Sequence, residues 1–373
     1  MSNLKIAVFG HKRIPSREGG VEIVAEALCT RMVKLGHTVT CYNRKGHHVS
    51  GVEYDAKAQK EFQGIRLKTV LTVDKKGLAA VTSSFSAALC SALSKANVVH
   101  IHAEGPAFMC WLPKLFGKRV VVTVHGLDWQ REKWKSGFGS KFIRAGEKMA
   151  VRYADEIIVL SKNVQNYFKE TYGRNTRYIP NGVTRPQIAA AREILKLGLS
   201  KNSYILFLGR LVPEKGIHYL LEAFRSVYTD KTLVIAGGAS DTESYAARLK
   251  ELAEGDDRIQ FTGFVQGRLL EELYSNAYLY VLPSDTEGMP LSLLEAMSYG
   301  NCCLVSSIPE CTEVVENQAM QFEKANVDAL KNSLQMLCDN PEKVAGYQAA
   351  ASDYICGKYN WDDVTKKTLE LYQ

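Results

Sequence analysis

Residues 204–216 read Tyr-Ile-Leu-Phe-Leu-Gly-Arg-Leu-Val-Pro-Glu-Lys-Gly. A near-continuous apolar run of this kind predicts a strand covered by helices on both faces, the habit of parallel sheets. The run stops at Gly209, and the loop after it carries Arg210 and Lys215 five positions apart. In open α/β sheets ligands bind beyond the carboxyl ends of the strands, so both cations stand where a ligand is expected. Two cations in that position suit a diphosphate: Arg bonds it bidentately and Lys acts as a point charge. A solvated surface loop is the plainer reading of the same residues.

The pattern repeats outward in both directions. Thr232–Ala236, Arg258–Thr262, Tyr278–Leu282 and Asn301–Ser306 read as further strands, each separated by a helical stretch. On the N-terminal side, Leu4–Phe9, His37–Tyr42, Asn97–His102, Arg119–His125 and Glu156–Leu160 form an earlier series, with a helix over Val21–Leu35. Two βα series predict an α/β chain of two doubly wound, Rossmann-like domains facing each other across a cleft. The join is expected at Ile179–Val183, where Pro180, Asn181 and Gly182 make a turn. The expected domains are residues 1–182 and 183–357, with 358–373 returning to the first.

Composition agrees. The chain has 373 residues, 46% hydrophobic and 23% charged, which excludes wholesale disorder and suggests about two domains. The net charge of +7 conceals an asymmetry. Residues 1–180 carry 29 Lys/Arg against 14 Asp/Glu, and residues 181–373 carry 18 against 26. Nine cysteines, an odd number with no C-x-x-C pair, read as reduced buried thiols. The apolar stretch at the N-terminus is too short for a signal peptide and no run spans a membrane, so the expected location is cytoplasmic.

Three more segments carry chemistry. Gly19-Gly20 follows the first strand and opens a helix, where backbone N–H groups and the positive dipole end suit phosphate. A lone Gly pair is equally a plain strand–helix loop. Glu287 and Glu295 lie eight apart across Gly288, Met289, Pro290 and Leu291. If a helix starts near Gly288–Pro290, both carboxylates share one face and accept hydrogen bonds from sugar hydroxyls. Acids at a helix start are also favoured by its dipole alone. His125, beside Gly126 at the end of its strand, is placed for a cleft or for a core role.

Together these segments resemble the group 1, GT-B-fold, retaining glycosyltransferases over nearly the whole chain. The resemblance implies that Glu287 meets the donor sugar and Glu295 the nucleotide ribose. It implies that Arg210 and Lys215, after Gly209, clamp the diphosphate, and that Gly19 and Gly20 approach it from the N-terminal domain. His125 is implied to face the donor sugar, and the Thr262–Val265 segment, with Gly263 and Val265, to hold the base through its backbone. Asn360-Trp361 matches the segment before a last helix that crosses back. The segment from Gly10 to Glu22, and His125 to Trp134, look most like bacterial capsule and cell-wall polysaccharide enzymes, including rhamnosyltransferases.

The implied reaction moves a sugar from a nucleotide diphosphate sugar, UDP- or dTDP-linked, to a hydroxyl of a glycan or a lipid-diphosphate-linked acceptor. No cofactor and no metal are expected, since a cationic clamp replaces the metal and no Asp-x-Asp motif is present. Acceptor recognition is expected in the N-terminal domain, with Glu104, Asp128 and Arg131 as candidates. Trp111, Phe116 and the cations from Arg131 to Lys148 suggest contact with an anionic membrane surface. Nucleic acid is not an expected partner, because no recognition motif accompanies the charge. The alternatives are a nucleotide-sugar epimerase of the same architecture, or a non-catalytic nucleotide-sugar-binding partner subunit.

Overall fold

The computed structural model describes residues 3–46, 59–73, 75, 78–130, 138–239 and 242–373. Its strands are β1 (Lys5–Phe9), β2 (Thr38–Arg44), β3 (Glu61–Phe62), β4 (Ile65–Val70), β5 (Val98–His102), β6 (Arg119–Val124), β7 (Glu156–Val159), β8 (Arg177–Tyr178), β9 (Tyr204–Leu208), β10 (Thr232–Ala236), β11 (Ile259–Gly263), β12 (Leu279–Leu282), β13 (Cys303–Ser306) and β14 (Met320–Phe322). They form two sheets. The first has the order β3-β4-β2-β1-β5-β6-β7-β8 and the second β11-β10-β9-β12-β13-β14. All pairings are parallel except that of β3 with β4.

Burial explains why the apolar runs became strands. Every residue of β5, β12 and β13 is buried, as parallel strands sandwiched by helices require. Four strands had no such signature. In β4 exposed residues are interspersed among buried ones along Ile65–Val70, and β3, β8 and β14 have two or three residues each. All four lie at or next to a sheet edge, where one face or end meets solvent.

The chain divides into two compact units, 1–181 with 361–373 and 182–360. The expected edges at 182/183 and 357/358 therefore move by one and three residues. The reason is local. Val183 N donates to Tyr359 O and Val183 forms a parallel bridge with Asn360, so both ends of the second unit close on each other. The helix Trp361–Glu370 belongs to the first unit. Arg31 Nε lies 3.0 Å from Asp362 Oδ1, and Arg119 Nε donates to Leu371 O at 2.6 Å.

In each sheet the strand order reverses at one strand. β1 lies between β2 and β5, and β9 lies between β10 and β12. At such switch points the loops diverge to opposite faces and leave a crevice. The Gly19-Gly20 loop follows β1 and the Arg210–Lys215 loop follows β9. All nine cysteines are free thiols; six are buried, while Cys90 is exposed and Cys338 and Cys356 are half-buried.

Candidate active site

In the second unit the loops after β9, β10 and β12 are laced together through their backbones. Gly209 N donates to Ala236 O at 3.0 Å, Leu211 N to Gly238 O at 3.0 Å, Gly237 N to Gly263 O at 2.8 Å and Asp285 N to Glu214 O at 2.9 Å. Two glycines allow this closeness. A Cβ on Gly216 (φ +64°) would meet Pro283 O at 2.1 Å, and one on Gly237 (φ +150°) would meet Gly209 O at 1.8 Å. Both therefore need a bare Cα.

This lacing brings Lys215 to Glu287. Lys215 Nζ lies 2.6 Å from Glu287 Oε1, with side chains 13% and 9% exposed. Ser284 Oγ donates to the same oxygen at 2.6 Å, and Ser306 Oγ fixes Ser284 by donating to its carbonyl at 2.5 Å. The sequence reading gave these two residues separate ligand roles; the structure shows them first as a largely buried, hydrogen-bonded ion pair. Arg210 is half-buried beside the strand end.

The helix of the E-x7-E segment starts at Leu291 with Pro290 as its cap, slightly later than expected. Glu287 thus sits in the loop, and Glu295 in the helix's second turn. Tyr274 Oη donates to Glu295 Oε2 at 3.1 Å, and Tyr280 Oη donates to Ser292 Oγ at 2.8 Å. Burial, together with nearby Glu295, pushes the Tyr274 phenol well up, so it stays a donor. Gly288, Met289 and Pro290 are buried and hold the turn. Gly263 (φ +71°) faces open space, and Val265 is buried behind it. Ser284, Ser306, Tyr274 and Tyr280 escaped sequence reading because none has a distinctive spacing.

In the first unit Glu22, at the third position of its helix, reaches back. Its Oε1 accepts from Lys12 N at 2.7 Å. A Cβ on Gly19 would meet Glu22 Oε2 at 2.5 Å, so that glycine makes room for the carboxylate. Gly20 begins the helix and is exposed. Asn43 holds the loop by both its side-chain atoms, accepting from Ile14 N at 3.1 Å and donating to Ile14 O at 2.9 Å.

His125 is buried, its Nε2 2.9 Å from His102 Nδ1. His102 stacks on His100 at 4.3 Å, and His100 bonds Tyr372 Oη at 2.6 Å and Thr123 Oγ1 at 2.7 Å. This buried chain links His125 to Tyr372, just past the last helix, a connection no motif announced. Burial lowers the His102 pKa and drives that of His100 down to about 3, so both rings are neutral. An unfolded His titrates near 6.5, so stability present above that pH is lost as pH falls toward the folded value. For His100 alone the loss at pH 5 is about 2 kcal/mol. Melting curves at pH 5 and above 7 should therefore separate more for the wild type than for His100→Gln; equal separations would contradict the buried neutral ring.

The acceptor candidates require a correction. Glu104 is 1% exposed, accepts from Asp128 N at 2.8 Å and lies near the fully buried Glu147. Burial first, then Asp128 and Glu147, push its carboxyl well above the usual range. Glu147 in turn accepts from Tyr167 Oη and Tyr172 Oη at 3.0 and 2.7 Å. Glu104 therefore holds the Asp128 loop from a buried position. Asp128 is half-buried, and Arg131 lies outside the described residues. Trp111 packs partly buried against the core, whereas Phe116 is exposed. Among the described residues no cluster of His, Cys, Asp and Glu could hold a metal, and no helix is long and apolar enough to cross a membrane.

Two family models match the chain in succession. The model for Glycosyltransferase Family 4 covers residues 18–185 and that for Glycosyl transferases group 1 covers 192–353. An uncharacterized glycosyltransferase of Methanocaldococcus jannaschii is 24% identical over 99% of this chain and 98% of its own length. The O-antigen chain mannosyltransferase of Salmonella typhimurium is 28% identical over 58% of this chain and 59% of its own. The HepE protein of Anabaena, solved in complex with UDP and glucose, shares the fold at a TM-score of 0.81 and 16% identity, with 99% of each chain covered. The chain is a glycosyltransferase of the group 1 class, built on the GT-B fold.

Proposed function

We propose that this enzyme transfers a sugar, with retention, from a nucleotide diphosphate sugar to a hydroxyl of a glycan or lipid-linked acceptor in bacterial surface polysaccharide synthesis, working at the membrane surface. The observation that carries the donor half is the 2.6 Å Lys215–Glu287 pair at the switch point of the second sheet, beside Arg210. The glycosidic bond to the diphosphate breaks as the bond to the acceptor oxygen forms; negative charge grows on the departing phosphate, which takes up the acceptor's hydroxyl proton. Arg210 and Lys215 stabilise that charge from fixed positions in a partly buried site. Glu287 orients the Lys215 ammonium and accepts from donor-sugar hydroxyls. Glu295, held by Tyr274, takes the ribose. The UDP and glucose bound by HepE support a donor of this kind, and the mannosyltransferase supports a surface-glycan acceptor.

Nucleotide release measured across UDP-, dTDP-, GDP- and ADP-sugars, with and without a membrane lipid extract, tests the reading. One donor should turn over and respond to the extract. Donor binding without turnover would favour the partner-subunit alternative, and a new sugar epimer formed without acceptor would favour the epimerase. Glu295→Ala should raise the donor KM about tenfold or more with a smaller change in kcat; an unchanged KM would remove it from ribose binding.

A further inference from the structure

The helix Leu78–Ala92 is packed the unusual way round. Its small residues, Ala79, Ser83, Ser84, Ala87 and Ala88 among them, are buried, while Leu78, Phe85 and Leu89 are exposed. A surface helix of a globular protein ordinarily turns its large apolar residues inward and charged residues outward. This helix contains no charged residue at all. Leu93 continues the same outward face one turn on, 65% exposed.

The ridge does not stand alone. Leu71 and Val73 are exposed on the segment that precedes the helix, and Val73 N donates to Thr82 Oγ1 on its outer side at 3.0 Å. The helix Trp111–Leu115 packs against Leu78–Ala92 and exposes Leu115, followed by Phe116. Eight of the twelve exposed large hydrophobic residues among the described ones thus fall between Leu71 and Phe116. A single exposed leucine is ordinary, but such a concentration marks an interaction surface.

Charge identifies the partner. Among the described residues from 59 to 116 the cations are Lys60, Arg66, Lys68, Lys75, Lys95 and Lys114, and the acids are Glu61, exposed opposite Arg66, and Glu104, buried. Lys114 is paired with Asp155, while Arg66, Lys68, Lys75 and Lys95 are exposed. The sequence adds Lys76 and Asp74, outside the described residues. An uncharged apolar ridge in a stretch where exposed cations outnumber exposed acids complements an anionic lipid surface: side chains enter the headgroup boundary and lysines meet phosphates. We propose that the outer face of Leu78–Ala92, with Leu93, Leu115 and Phe116, is the face by which this enzyme docks on an anionic bilayer. The inference rests on the membrane reading above and moves its contact away from the Arg131–Lys148 region.

Flotation with vesicles of phosphatidylcholine, alone or with phosphatidylglycerol, at low and high salt tests it on the full chain. Wild type should float with the anionic vesicles, less so at high salt. Phe85→Ser/Leu89→Ser should lower the bound fraction about tenfold or more, with melting temperature and donor hydrolysis in free solution unchanged. If the double variant floats like wild type while Lys141→Glu/Lys148→Glu does not, the membrane reading stands and this face is wrong. If wild type does not float, both fail. A wild-type dimer that Phe85→Ser/Leu89→Ser converts to monomer, without flotation, would assign the face to a second copy and overturn the proposal.

Discussion

Lys215→Met is expected to lower turnover by about 10²-fold or more, since removing one fixed charge-stabilising group from a partly buried site commonly does so. The substitution has a second consequence. Glu287, 9% exposed, would keep only the Ser284 hydroxyl as a partner on Oε1, and a carboxylate stranded this way is costly. A loss of rate by itself therefore does not separate a charge used on the phosphate from a charge used to satisfy Glu287. The double variant Lys215→Met/Glu287→Gln separates them, because it removes the ion pair without stranding either charge. If the ammonium acts on the departing phosphate, the double variant stays as slow as the single one. Recovery of rate in the double variant would make Lys215 a partner of Glu287 and nothing more.

Gly237→Ala should be among the most destabilising single-methyl changes in the second unit. The added Cβ would lie 1.8 Å from Gly209 O, a backbone atom with no rotamer to escape into. Relief requires the loops after β9 and β10 to part, which strains the Gly209–Ala236 and Gly237–Gly263 hydrogen bonds. The φ of +150° also disfavours any side chain. Overpacking, strain and weakened backbone bonds together suggest about 3 kcal/mol or more. At about 2–4 °C per kcal/mol for a unit of this size, the melting temperature of that unit should fall by about 6 °C or more. A shift within about 1 °C would mean that the loops part at little cost. The same parting moves Arg210 and Lys215, so activity should fall at temperatures where the variant remains folded.

The acid sensitivity set by His100 and the docking ridge of Leu78–Ala92 share a property: neither was visible in a motif. His100 reads as part of an ordinary strand, Asn97–His102, and its neutral state follows from complete burial beside Thr123 and Tyr372. In the ridge, leucine and phenylalanine look like core residues. Only the placement of alanine and serine on the inner face shows that the large residues point out. Glu104 misled in the opposite sense. A carboxylate just past a strand end suggests a ligand contact, yet its side chain turns inward to Asp128 N and Glu147.

Local physics was enough for the framework. Runs such as Tyr-Ile-Leu-Phe-Leu at 204–208 have no polar side to offer water, so they predict buried parallel strands, and β9 and β10 fall on the expected residues. The turn at Ile179–Val183 and the change in charge from one half to the other mark the division between the units. Edge strands were lost because a half-solvated or two-residue strand leaves no such run. Which loops become neighbours is a different matter. Lys215 and Glu287 are 72 residues apart, and no spacing rule joins them. They meet because β12 crosses over to lie beside β9, and because Gly216 and Gly237 let three backbones close to contact distance. The chain's hydrophobic pattern determined the two sheets and the loops that carry the chemistry. Strand order and backbone packing alone decided that two of those residues form one buried ion pair.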